Sequence, residues 1–204
     1  MISLIDYGVG NINAFVNIYK QLGIQVNKAQ TAKDISEASK LILPGVGAFD
    51  DAMNRLNISG MREALEEAVV YRKVPVIGIC VGMQMLTERS DEGKMPGLGW
   101  IKGQVKKFNA DAIPYKTKFP HMGWNNITPL KENPLLSELE NGARFYFLHS
   151  YYFECFDTEN IIATTDYGIK FASAICRDNI FGIQCHPEKS HHAGIKLLQN
   201  FAKI

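Results

Sequence analysis

Cysteine is scarce in this 204-residue chain, and the four present, Cys80, Cys155, Cys176 and Cys185, are scattered. They form no CxxC pair and share no ligand-like spacing with histidine, so neither a disulfide framework nor a zinc site is expected. Charge of one sign is also missing. The 22 Lys+Arg stand against 21 Asp+Glu, a net charge of +1, which removes the case for bulk electrostatic binding to nucleic acid or an acidic membrane. No apolar run approaches the ~18 residues of a membrane span. The opening MISLIDYGVGNIN has too short an apolar run for a signal peptide and carries an acid inside it. Internal repeats and linker-like stretches are absent from the sequence as well. What remains, with 46% hydrophobic residues, is enough chain to bury a real core. The expectation is a soluble, cytoplasmic protein built as one domain over residues 1–204.

Apolar runs of two kinds alternate in the first half. Ile2–Ile5, Leu41–Leu43 (closed by Pro44-Gly45) and Val74–Ile79 are short and apolar on both faces, as buried strands are. Between them, Ile12, Phe15, Val16, Tyr19 and Leu22 recur at helical spacing before Gly23. Met61–Tyr71 sets Ala64, Leu65, Ala68 and Val69 against an acidic, solvated face, and a further helical run follows from Met83. Strands alternating with helices predict a mostly parallel sheet covered on both sides. After Gly97 the texture changes. Residues 98–131 suggest antiparallel strands or long loops, and Arg144–His149, Ile161–Thr165, Ala172–Arg177 and Ile180–Cys185 read as further strands. A last helix spans about His191 to Phe201. The fold class is α/β with an antiparallel β extension in the second half.

Three places carry chemistry. In Gly78-Ile79-Cys80-Val81-Gly82, a buried strand runs into a cysteine flanked by glycines and then into a helix. This is the G-x-nucleophile-x-G elbow with Cys for Ser, in which small neighbours allow a tight, strained turn and the helix N-terminus favours the thiolate. An inert cysteine at the end of a core strand is the plainer alternative. A thiolate needs a base and the base an orienter; Gln184-Cys185-His186-Pro187-Glu188 offers both. In an extended segment residues two apart share a face, which would aim Glu188 and His186 into one pocket. Cys185 lies in an apolar strand without a glycine elbow and, by alternation, on the face opposite His186; with Cys155 and Cys176 it reads as packing. The third place is Pro44-Gly45-Val46-Gly47, a glycine turn whose N–H groups, with that of Val81, could form an oxyanion hole. Taken alone, a plain strand-to-helix turn fits it better.

Together and in this order, PGVG, GICVGMQ and HPE resemble the class I (triad) glutamine amidotransferases. Asp6-Tyr7-Gly8-Val9-Gly10-Asn11, Pro120-His121-Met122-Gly123-Trp124-Asn125, Phe147-Leu148-His149-Ser150-Tyr151-Tyr152 and His186-Pro187-Glu188-Lys189-Ser190 narrow the resemblance to the HisH family. These are the glutaminase subunits of imidazole glycerol phosphate synthase, and the likeness spans essentially the whole chain.

The resemblance implies a flavodoxin-like amidotransferase fold and a glutaminase. Cys80 would attack the glutamine amide, His186 would act as base and then acid, and Glu188 would orient it. Gly45, Val46, Gly47 and Val81 would supply the oxyanion hole. Gln84, Glu92, His149, Ser150 and Tyr151 match glutamine-binding positions, and Asn11, Met122, Trp124 and Lys189 match positions at or near a partner interface. No metal or organic cofactor is implied. The implied partner is a HisF-type (β/α)8-barrel cyclase, which uses the ammonia to make imidazole glycerol phosphate and an aminoimidazole carboxamide ribotide in histidine biosynthesis. Gly97-Leu98-Gly99-Trp100-Ile101, Val81 and Lys189-Ser190-His191 also resemble HisH-like paralogues that feed ammonia to an N-acetyl-sugar amidotransferase in surface-polysaccharide or flagellar-glycan synthesis. A non-catalytic binding subunit is a third reading, disfavoured because Cys80, His186 and Glu188 are all present. Lys102, Lys106, Lys107, Lys116 and Lys118, opposed only by Asp111, read as a solvated face.

Overall fold

The computed structural model describes residues 1–116, 118–139 and 142–204. The first half runs β1 (Ile2–Ile5), α1 (Ile12–Gln21), β2 (Val26–Ala29), α2 (Ala32–Ser36), β3 (Lys40–Gly45), α3 (Phe49–Ile58), α4 (Arg62–Glu66), β4 (Val76–Cys80) and α5 (Val81–Gln84). The second half is mostly strand: β5 (Arg89–Ser90), β6 (Gly103–Lys107), β7 (His121–Asn126), β8 (Thr128–Pro129), β9 (Arg144–His149), β10 (Tyr151–Cys155), β11 (Ile161–Asp166), β12 (Lys170–Arg177) and β13 (Ile180–Ile183). Helix α6 (His191–Lys203) follows.

Strands β2-β1-β3-β4-β13 lie side by side and parallel. Every residue of β1, β4 and β13 is buried, which is why their sequences show no polar alternation: helices cover both faces. Helix α1 turns Ile12, Phe15 and Tyr19 onto the sheet, and α6 turns Leu197, Leu198 and Phe201. Past β13 the sheet becomes antiparallel through β12, β10 and β6. Strands β7 and β9 form a separate antiparallel ribbon. The mixed α/β architecture and the antiparallel second half therefore match the expectation.

Several boundaries differ for identifiable reasons. Pro44 and Gly45 belong to β3 rather than ending it. Pairing of β3 with β1 stops at Ile42, so one side of Pro44 has no strand to donate to, the condition under which a strand tolerates proline. The Met61–Tyr71 helix is α-helical over Arg62–Glu66 and continues as a π-helical turn, Glu67–Tyr71. The helix expected from Met83 begins two residues earlier and ends after Gln84. The carbonyls of Met85, Leu86 and Thr87 accept from the N–H groups of Leu98, Ile101 and Gly99 at 2.8, 3.0 and 2.9 Å, so the next helical turn has no acceptors. The expected Ile180–Cys185 strand stops at Ile183, because His186 N–H donates to Tyr146 O at 2.8 Å and draws the chain out of the sheet toward β9. The apolar pattern does not reveal strands β2, β5 and β10 or helix α2, whereas α3 is the helix that the strand-to-helix reading of the Pro44–Gly47 turn requires. The capping box of α2, in which Thr31 and Asp34 bond each other's backbone, was the overlooked signal.

Candidate active site

Neighbouring strands β3, β4 and β13 end on the same edge of the sheet, the edge where open α/β sheets place their ligands. Gly45, at the end of β3, pairs with Cys80 at the end of β4. Strand β13, on the other side of β4, leads directly to His186. The sheet order thus brings together three segments that lie more than a hundred residues apart at the extremes.

Cys80 has φ +55° and ψ −112°, a left-handed conformation that costs a non-glycine residue strain. The flanking glycines are required by close approach. A Cβ on Gly78 would lie 2.5 Å from Gly82 O, and one on Gly82 would lie 1.9 Å from Leu43 O. Gly82 thus lets α5 press against the backbone of β3, and Gly78 lets the start of α5 fold back over β4. Cys80 itself is buried apart from a narrow opening onto a cleft of about 430 Å3. Its Sγ lies 4.0 Å from Leu148 O and 3.8 Å from Gln184 Nε2.

His186 Nδ1 is 2.8 Å from Glu188 Oε1, and both side chains are buried to within 4% of full burial. The two meet through a tight 3-10 turn, Pro187–Lys189, rather than by the expected extended alternation; proline at its first position presets the turn. Burial alone would lower the imidazole pKa, but Cys80 and Glu188 outweigh it and raise it to about 10. With Nδ1 held by the carboxylate, Nε2 is left to face the thiol. Cys185 is wholly buried and its thiol is pushed well up, chiefly by burial. Burial also raises the thiol of Cys155, to about 11.

Val46, Gly47, Val81, Gln84, Glu92, His149, Ser150, Tyr151 and Lys189 line the same cleft as Cys80 and His186, with Pro120 and Leu148. Gly45 does not face it; a Cβ there would lie 2.3 Å from Gly82 N, so Gly45 provides the close approach of β3 to α5. The Pro44–Gly47 turn is anchored from below by Tyr7, whose hydroxyl donates to Pro44 O at 2.7 Å. Glu92 Oε2 accepts from Phe49 N–H at 2.9 Å; burial raises its pKa, opposed by that N–H and aided by Asp50.

The ring of His149 is fully engaged. Nδ1 is 2.7 Å from Tyr151 O, and Nε2 is 3.0 Å from His121 Nδ1. A carbonyl only accepts, so Nδ1 of His149 carries the proton and its Nε2 accepts from His121. His121 Nε2 in turn receives Asn125 Nδ2 at 3.2 Å. Burial lowers His149 to about 3, with His121 contributing, and lowers His121 to about 4. Gln84 Nε2 donates to Tyr151 O and to Gln184 Oε1, each at 3.1 Å. Gln184, His121 and Tyr7 were not singled out from the sequence as site residues. For Gln184 the available signal was a polar side chain standing between Ile183 and Cys185.

Of the four interface candidates, only Lys189 reaches the cleft; its Nζ lies 5.6 Å from the centre of the Tyr146 ring. Met122 (62% exposed) and Trp124 (38%) lie on the outer face of the β7–β9 ribbon, registered beside Leu148 and Tyr146. Trp124 stacks on His191 at 5.1 Å and 6°. Asn11 is exposed and caps α1, its side chain accepting from Ala14 N–H at 3.3 Å.

The chain matches the model of the family described as glutamine amidotransferase class-I over residues 3–204. It is 53% identical over 204 residues to a Bdellovibrio bacteriovorus protein named imidazole glycerol phosphate synthase subunit HisH, and 50% identical to the protein of that name from Leptospira interrogans. Both alignments cover 100% of each chain. A crystal structure of a glutamine amidotransferase superimposes with a TM-score of 0.76 at 16% identity, covering 99% of this chain and 97% of that one. The structure of PurLQS from Thermotoga maritima gives 0.75 at 16%, with the same coverage. The structural likenesses speak for the fold alone, whereas half-identity along the full length speaks for the family: the chain belongs to the class I glutamine amidotransferases and, among them, to the HisH subunits of imidazole glycerol phosphate synthase.

Proposed function

We propose that the chain, acting as one glutaminase domain over residues 1–204, hydrolyses glutamine through Cys80, His186 and Glu188 and passes the ammonia to a HisF-type cyclase. The observation that carries the reading is the strained Cys80 at the end of β4 beside an imidazole whose Nδ1 is tied to Glu188 at 2.8 Å. Cys80 Sγ, its proton already passed to His186 Nε2, attacks the side-chain amide carbon as the thiolate of a thiolate–imidazolium pair. The tetrahedral oxyanion is held by the N–H of Val81 and by a second N–H from the Pro44–Gly47 turn. His186 returns the proton to the departing nitrogen, the C–N bond breaks, and ammonia leaves. Water, deprotonated by the same imidazole, then resolves the thioester to glutamate and the free thiol.

Glu92 is suited to the substrate's α-ammonium. His149, with both ring nitrogens engaged, contributes through its backbone, as do Ser150 and Tyr151. Gly47 has φ +85° and Val46 is 42% exposed, so the peptide between them is free to turn its N–H toward the cleft when the partner binds. The apolar outer face of the β7–β9 ribbon, with Met122, Trp124 and Leu148, adjoins the cleft mouth and supports docking of a partner there, with Lys189 at the rim.

Glutamate release by the purified chain, alone and with a HisF-type cyclase and its nucleotide substrate, tests this. Stimulation by the cyclase that is abolished in Cys80→Ala is expected. Stimulation only by an N-acetyl-sugar amidotransferase would keep the glutaminase and replace the partner. Silence with both would mean a different partner or a non-catalytic subunit.

A further inference from the structure

Gln184 is wholly buried and occupies a position that the three-residue mechanism leaves without a role. Its side-chain orientation can be deduced from its neighbours. Gln84 Nε2 faces Tyr151 O, which only accepts, so that atom of Gln84 is its NH2 group. Its second proton points to Gln184 at 3.1 Å, so the atom of Gln184 receiving it is the carbonyl oxygen. The remaining terminal atom of Gln184, 3.8 Å from Cys80 Sγ, is therefore its NH2 group. Tyr151 O is itself held by His149, and His149 by His121, so the orientation is backed by a continuous series of bonds within the core.

We propose that Gln184 is a further catalytic residue of the glutaminase reaction, donating a hydrogen bond to Cys80 Sγ that selectively stabilises the thiolate. The selectivity follows from the other contact of the sulfur. Before its proton passes to His186, the sulfur is placed to donate to Leu148 O and to accept from Gln184. The thiolate loses the first interaction and strengthens the second, because a hydrogen bond to an ionised acceptor exceeds a neutral one. Gln184 approaches from the buried side of the sulfur as a dipole fixed by Gln84, which gives the donor its effect. Gln84 then has a role distinct from substrate contact: it locks the amide of Gln184 the right way round.

This proposal rests on Cys80 being the nucleophile, yet its test does not require turnover. Alkylation of Cys80 by iodoacetamide, followed peptide by peptide across pH, reports the thiolate directly and separates Cys80 from Cys155, Cys176 and Cys185. In Gln184→Met, similar in length but without a donor, the midpoint of Cys80 alkylation is expected to move up by about one pH unit, a tenfold loss of thiolate on the acid side of the curve. Gln184→Asn retains an amide but withdraws it from the sulfur, and should move the midpoint the same way. Thermal melting of each variant identifies those that fold; if Gln184→Met does not, Gln184→Asn decides. A folded variant whose midpoint stays with the wild type, or moves down, overturns the proposal. Absence of glutamate release by the wild type with any partner would instead count against the glutaminase reading and leave the alkylation result to stand.

Discussion

Gly82→Ala is the most demanding test of the elbow. The added Cβ would sit 1.9 Å from Leu43 O and 3.0 Å from Leu43 C, where ordinary contact begins at 3.4 Å. No rotamer change relieves this, since both parties are backbone. Leu43 is paired with Gly78 in the β3–β4 ladder, and Gly82 lies in the buried turn of α5. Either β3 or α5 must shift, and Cys80 is tied to both. Overpacking of this kind costs about 1–3 kcal/mol, and backbone against backbone belongs at the upper end. For a chain of this length about 1 kcal/mol lowers Tm by roughly 2–4 °C, so a loss of roughly 6–12 °C is expected in differential scanning fluorimetry. Loss of Cys80 alkylation at neutral pH should accompany it. Gly60→Ala is the control: its Cβ meets nothing within 4 Å, and only its φ of +73° is unfavourable. A Gly82→Ala protein melting within 2 °C of wild type, with normal alkylation, would refute the claim that the glycine is there for close approach.

Glu188→Gln should lower glutaminase kcat by about 10²–10⁴-fold, because the imidazole loses its orienting anion, with glutamate release by the complex as the assay. The folded His186 pKa, raised to about 10, lies above the unfolded value near 6.5, so its stabilising effect is complete below pH 6.5 and disappears as pH rises through 10. The Tm advantage of wild type over Glu188→Gln should accordingly shrink between pH 7 and pH 10; a constant gap would contradict the linkage. His121 and His149 behave oppositely. Their folded values, about 4 and about 3, lie below the unfolded value, so the stability they confer is present above pH 6.5 and lost as pH falls through 4. A His121→Gln variant should show a flatter decline of Tm from pH 6.5 to pH 4, and an unchanged slope would count against the buried neutral pair. Trp124→Ala should weaken affinity for a HisF-type cyclase at least tenfold by calorimetry while moving Tm by less than 2 °C, since the ring is partly exposed and, among the described residues, its ring contacts are a stack on His191 and an edge contact with Tyr146. Unchanged affinity would remove Trp124 from the docking surface.

What the sequence determined on its own was local. The strands apolar on both faces, the amphipathic helices α1 and α6 and the glycine-flanked Cys80 all express periodicity or backbone constraint within a few residues, while the turn joining His186 to Glu188 departs from the extended alternation that the segment suggested. The surrounding motifs also identified the family before any distance was known. Tertiary structure decided whatever depends on residues distant in sequence. Helix α5 stops at Gln84 because the backbone of residues 98–101 takes its next acceptors, and β13 stops at Ile183 because β9 takes the N–H of His186. The ring of His149 is engaged by His121, which is 28 residues away, and Gln184 reaches Cys80 across 104 residues. Hydrogen-bond donors and acceptors must be satisfied wherever the fold buries them. Their partners are set by the order of β3, β4 and β13 in the sheet and by the β7–β9 ribbon lying beside it, and no local pattern encodes that order.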